Sequence, residues 1–155
     1  FFNAHPAYRD SSTSRGLGDV YKRQLLIEDL FMATDSITLQ ARQERTTMQV
    51  TSVEFRDGET IITAQGEMGT YGTVYTSYLL KYDNTGDGGT VSGQGRGIVD
   101  KDTFFSGTFS GVWKRDGSNI VMRNLVNISD GTTNLDSIVV DTGKRDLSID
   151  VYIID

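Results

Sequence analysis

The sequence predicts an all-β protein: a single antiparallel closed barrel of about eight strands, with a short N-terminal helix ahead of it. Three observations carry this expectation. From Ser36 onward, apolar and polar residues alternate with period two in one segment after another. The segments are separated by short Gly-, Asp- and Ser-containing turns, which leave no room for the crossover helices that parallel pairing needs. Two consecutive segments also set glycine at alternate positions on one face, a costly habit in a strand unless close coiling of the sheet requires it.

The elements follow in order. Leu25 to Ala33 carries Leu26 and Leu30, and Ile27 and Phe31, at helical spacing, with Glu28 and Asp29 placed favourably near an N-terminus. Two readings stand for it: a short amphipathic helix, or untranslated sequence read through as protein ahead of a true start at Met32. Ile37, Leu39 and Ala41 then alternate with Thr38, Gln40 and Arg42. Met48 to Phe55 is β-prone, but its apolar set changes phase between Val50 and Val53, which predicts a β-bulge. Asp57-Gly58 is a hairpin turn, and Thr60 to Glu67 returns. Thr73 to Tyr82 is the clearest strand, with Val74, Thr76, Tyr78, Leu80 and Tyr82 on one face. Thr90 to Val99, Thr103 to Lys114, Ser118 to Ile128, Asn134 to Val140 and Leu147 to Ile154 complete the set.

The choice between a sandwich and a barrel turns on glycine. Gly93, Gly95 and Gly97 lie between Val91 and Val99 on one face, while Gly107 and Gly111 alternate with Phe105, Phe109 and Trp113. Tight coiling round a small barrel explains both patterns, with aromatic rings from a neighbouring strand covering bare glycines. In a sandwich the same glycines would only relieve crowding. The barrel is the expected answer.

Composition narrows the function classes. The chain has 155 residues, with 15 basic and 21 acidic side chains, one His, one Pro and no Cys. A net charge of −6 argues against nucleic-acid binding, and Lys114-Arg115 is too small a basic cluster to alter that. No apolar run approaches the roughly 20 residues of a membrane span. Without Cys there are no disulfides, thiol nucleophiles or thiolate metal sites.

The opening residues read differently from the rest. Ser14 to Gln24, SRGLGDVYKRQ, resembles the translation of a transposase-type sequencing adapter, whose common end reads in frame as Asp19-Val20-Tyr21-Lys22-Arg23-Gln24. The preceding FFNAHPAYRDSST resembles the flanking primer and index region through Arg9-Asp10. Untrimmed adapter in a metagenomic assembly produces such a scar. Residues 1–24 are therefore expected to be adapter-derived and disordered, and residues 25–155 to form the barrel domain. Setting the segment aside removes four basic residues (Arg9, Arg15, Lys22, Arg23) and two acidic ones (Asp10, Asp19). This leaves 11 basic and 19 acidic, a net charge of −8. It also removes His5 and Pro6, so the body has no His with which to build a Ser-His-Asp triad or a His-based zinc site. With the natural start unseen, no compartment is read from the sequence, and the cytoplasm is only the default.

The stretches Gly66 to Tyr82 (GEMGTYGTVYTSYLLKY) and Gly89 to Gly117 (GTVSGQGRGIVDKDTFFSGTFSGVWKRDG) resemble the allene-oxide-cyclase-type barrel group. That group includes allene oxide cyclases, plant dirigent proteins and bacterial relatives. The matching elements are the Gly-x-x-Gly lead-in to a long strand, the small-residue strand SGQGRG and the strand SGTFSGVW. The resemblance implies an eight-stranded barrel with an apolar cavity, often assembled as dimers or trimers. The group's catalytic residues have no matching local motif here, and none is carried over.

The mouth of such a barrel is the expected binding site. Candidate polar groups are Glu54, Glu67, Tyr75, Tyr78, Arg96, Arg123 and Asn124, with Trp113 as a cover for glycine backbone or a stacking platform. From these the expected ligand set is Glu67, Tyr78, Arg96, Trp113 and Asn124. A buried Glu beside a Tyr would suit general acid–base work, its pKa raised by desolvation. Tyr75 and Tyr78 lie on opposite faces, so at most one points inward. Asp83-Asn84-Thr85-Gly86-Asp87-Gly88 resembles the start of a calcium loop, but Gln94 stands where the bidentate Glu belongs, and a solvated hairpin loop is expected. Asn127-Ile128-Ser129 fits the glycosylation pattern at a strand end. No metal or cofactor is expected. Three functions compete: a non-enzymatic barrel for a small apolar molecule, a cyclase- or isomerase-like enzyme acting on an apolar substrate in the cavity, and a structural barrel with a filled core.

Overall fold

The computed structural model describes residues 36–155. The expectations for residues 1–24 and for a helix over Leu25 to Ala33 lie outside the described residues. The unit considered below spans Leu39–Asp155.

Nine strands follow one another: β1 (Gln40–Ala41), β2 (Thr46–Arg56), β3 (Glu59–Glu67), β4 (Thr73–Tyr82), β5 (Gly88–Asp100), β6 (Thr103–Asp116), β7 (Asn119–Ile128), β8 (Thr133–Asp141) and β9 (Asp146–Ile153), with a 3₁₀ turn at Gly69–Tyr71. Every pairing is antiparallel. Strands β2 to β9 each pair with their successor or predecessor, and β9 also pairs with β2, which closes an eight-stranded barrel. Closure gives each of these eight a partner on both sides, although β2 meets β9 only over Thr46 to Gln49 and pairs beyond that with β3 alone. β1 is the extra strand. It is shorter than the alternation from Ile37 to Ala41 suggests, because β9 offers little room. Thr46 to Gln49 of β2 already occupy β9 from Asp146 to Ile149, and β1 pairs only beyond them, at Tyr152 and Ile153.

The phase change in β2 is a bulge. Val50 opposes Ala64 and Ser52 opposes Thr63, so Thr51 is left over. The consequence is chemical. Met48 and Val50 face inward, and an uninterrupted strand would next bring Ser52 and Glu54 inside. The extra residue turns Val53 and Phe55 inward instead, opposite Ile62 and Thr60, and leaves Glu54 outside.

Glycine sets the curvature. A Cβ on Gly93 would overlap the Ser77 carbonyl oxygen, and one on Gly111 would overlap the Arg123 carbonyl oxygen, because the coiled neighbouring backbones pass that close. Aromatic rings cover the bare backbone: Phe109 is the cross-strand partner of Gly93, Phe105 of Gly97 and Trp113 of Gly89. Two further ring pairs tie β6 to what faces it, Tyr78–Phe109 at 5.0 Å and Tyr71–Phe105 at 5.4 Å. The waist of the barrel is filled by Leu80, Val91, Met122, Ile138, Leu147 and Ile149, all essentially solvent-free.

The glycine positions are not equivalent, and substitution should separate them. Gly93→Ala and Gly111→Ala are each expected to destabilise the barrel by about 2 kcal/mol or more, since backbone must move to admit the methyl. Gly95→Ala meets nothing closer than 3.4 Å and should stay within about 1 kcal/mol of the parent. Urea unfolding midpoints of the three variants test this ranking.

Candidate functional site

The packed waist divides the interior into two chambers. The wide chamber, about 470 Å³, lies at the end where the Asp57-Gly58, Asp83–Asp87, Gly117-Ser118 and Thr142–Arg145 turns gather. Its walls are apolar for the most part, through Val50, Val53, Ile62, Leu80, Trp113 and Ile120, with Asn119, Asp141 and Thr142 adding polar groups. Phe55, 78% exposed, stands on its rim. Trp113 is buried, donates its indole N–H to the Lys81 carbonyl at 2.9 Å and packs on Tyr82 at 5.7 Å between centroids. Tyr82 in turn hydrogen-bonds Thr60. Arg115 and Arg145 also line this chamber, and Arg115 is tied to Asp87 at 3.2 Å.

The narrow chamber, about 60 Å³, lies at the opposite end, beneath the 3₁₀ turn. Tyr71, Tyr78, Phe105 and Phe109 wall it, and bare glycine backbone at Gly95, Gly97 and Gly107 makes the space. Its polar groups come from β7 and β8. Asn124 and Asp136 are direct cross-strand partners, and both face inward. Asn124 is 1% exposed and Asp136 9%. The Oδ1 atoms of both are buried without a hydrogen-bond partner among the described residues. Asn134, two residues from Asp136, is satisfied: its amide donates to the Tyr71 hydroxyl at 2.9 Å and its oxygen accepts from Arg42.

Burial with no compensating partner pushes the Asp136 carboxyl up to about 7. The Tyr78 hydroxyl is also pushed well up, first by burial and then by the charge of Asp136. A hydrogen bond with Thr76 opposes the rise. At neutral pH Asp136 is therefore poised between acid and base, in a pocket of aromatic rings.

The residues expected from the sequence separate into two groups. Tyr78 and Asn124 meet in the narrow chamber, and Trp113 lines the wide one. The side chains of Glu67 and Arg96 point outward, although Arg96 also borders the narrow chamber. Glu67 accepts a hydrogen bond from the Thr73 hydroxyl at 2.6 Å, and Arg96 donates to the Gly95 carbonyl at 2.9 Å and to Gln94 at 3.1 Å. Glu54 pairs with Arg56 at 2.7 Å on the outside, while Tyr75 and Arg123 are exposed. The loop from Asp83 is closed by its own groups, Asp83 Oδ1 accepting from the Thr85 amide and hydroxyl and from the Gly86 amide. Among the described residues no cluster of three acidic or His side chains could hold a metal ion. Asp136, Asn134 and Tyr71 were not singled out by the sequence reading. A signal was present for two of them: the inward phase of Ile138 and Val140, extended back along β8, places Asp136 and Asn134 inside.

Comparisons with protein-family models, with curated proteins and with solved structures found no match to this chain.

The buried carboxyl predicts an inverted pH dependence. An unfolded aspartate titrates near about 3.9, so between that value and about 7 the folded state holds a proton that the unfolded state has lost. Stability contributed at Asp136 is therefore full at low pH, falls as pH rises through this window and is flat above it. Relative to Asp136→Asn, the parent should lose on the order of 4 kcal/mol between pH 4 and pH 8. Denaturant unfolding of both proteins across that range measures the difference.

Proposed function

We propose that this protein is a binding barrel for a small apolar or amphipathic molecule, held in the wide chamber. One observation carries the reading: an open apolar chamber of about 470 Å³, inside the roughly 300–1,000 Å³ range of small-molecule pockets. Two further features support it. The bulge at Thr51 brings Val53 and Phe55 inward at the expense of Glu54, so the wall is apolar where an unbroken strand would have been charged. Arg145 at the chamber wall gives a polar head group a charged partner, with Arg115 already paired to Asp87. The resemblance of Gly66 to Tyr82 and Gly89 to Gly117 to allene-oxide-cyclase-type barrels points the same way. A fully filled interior would have favoured a structural role; here the filling is confined to the waist.

A second reading, a cyclase- or isomerase-like enzyme with its apolar substrate in the cavity, is favoured by Asp136 alone. A carboxyl poised near neutrality beside a Tyr hydroxyl has the properties of a general acid–base.

Titration with anilinonaphthalene sulfonate, an anionic apolar probe, tests the binding reading. Saturable one-site binding in the micromolar range is expected. Val53→Phe, at the half-open rim, should weaken it about tenfold, or about 1.4 kcal/mol, by filling the chamber. Absence of saturable binding, or binding indifferent to that substitution, would overturn the assignment.

A further inference from the structure

We infer that the narrow chamber is a second, separate site, which takes the head of a small primary alkylammonium on Asp136 and Asn124. The inference rests on that chamber alone and stands whether or not the wide chamber binds an apolar ligand.

The donor–acceptor balance inside the chamber leads to this ligand. Two buried oxygens on adjacent strands, Asn124 Oδ1 and Asp136 Oδ1, face one cavity and have no partner among the described residues. A buried acceptor without a donor carries a desolvation penalty, larger for a charged group, which a donor would relieve. An ammonium offers three N–H donors and no acceptor, enough for both oxygens at once. An alcohol offers a single donor and leaves the carboxylate charge uncompensated.

The walls point the same way. Tyr71, Tyr78, Phe105 and Phe109 surround the niche, and aromatic rings attract cations electrostatically. Among the described residues no cation is bonded to Asp136, and Arg96, which also borders the chamber, is held by the Gly95 carbonyl and Gln94. Arg42, which reaches this end of the barrel, is bound to Asn134 and Asp155. The titratable groups facing Asp136 are Tyr78 and Tyr71; its other neighbours on β7 and β9 are Met122, Val126, Ile149 and Val151. The volume, about 60 Å³, suits a head group and its first carbons. A net charge of −6 on the chain favours the approach of a cation over an anion.

Calorimetric titration with butylammonium, using butanol as the neutral isostere, decides the matter. At pH 8, where Asp136 is ionised, butylammonium should bind at least about tenfold more tightly than butanol. At pH 5.5, with the carboxyl protonated, that affinity should fall about tenfold or more. Asp136→Asn should remove both the preference and the pH dependence while keeping the shape of the side chain. Gly95→Ala, which places a methyl in the chamber without a clash, should weaken butylammonium several-fold and provides a check independent of charge. Equal affinity for the amine and the alcohol overturns the inference. So does an amine affinity indifferent to pH or to Asp136→Asn, or no binding at all, which would make the niche a place for water only.

Discussion

The shared use of β9 holds this molecule together. One eight-residue strand satisfies β8 along its length on one side, and β2 followed by β1 on the other. With that seam made, the ring closes, and the edge left open is the outer part of β2 beyond Gln49, which pairs with β3 alone. The seam also bounds the interior, because a ring of eight strands leaves room for side chains or for one small ligand. Everything inside then depends on how much volume each inward position contributes.

Glycine and aromatic residues settle that volume. β5 and β6 contribute backbone rather than side chain at Gly93, Gly95, Gly97, Gly107 and Gly111, which lets neighbouring strands coil close. The space vacated is recovered by large rings from the next strand over, and by Leu, Ile and Met at the waist. Recovery is complete in the middle and incomplete at both ends. The two chambers are thus the parts of the barrel where side chains do not reach the axis, one with apolar walls and the other with a polar row set among aromatics.

The polar row is the least stable arrangement in the core, and for that reason the most informative. Asn134 is engaged by Tyr71 and Arg42, whereas Asn124 and Asp136, one strand away and two residues along, keep oxygens unpaired among the described residues. A core selected for stability alone would place an aliphatic residue at both positions, as β8 does at Ile138 and Val140. The cost of retaining the carboxyl is what links folding to pH in this protein, and what links the narrow chamber to a ligand able to supply donors.

Much of the architecture could be read from one dimension. Alternation located β2 to β9 to within about two residues, the glycine–aromatic pattern pointed to a closed barrel, and the phase slip at Val50 to Val53 marked the bulge. These features were legible because they are local: side-chain period and turn chemistry act over a few residues. The site was legible in part. Tyr78, Asn124 and Trp113 turned out to face the interior, while the side chains of Glu67 and Arg96 point outward, paired with Thr73 and with Gln94 and the Gly95 carbonyl. Strand phase alone told which residues share a face, and only ring closure decided which face was the inside at each height of the barrel. That Asn124 stands opposite Asp136, and that neither oxygen finds a donor, depends on a register between β7 and β8 and on rings contributed by β4 and β6. Such contacts between distant parts of the chain carry no period in the sequence, because the fold itself brings them together.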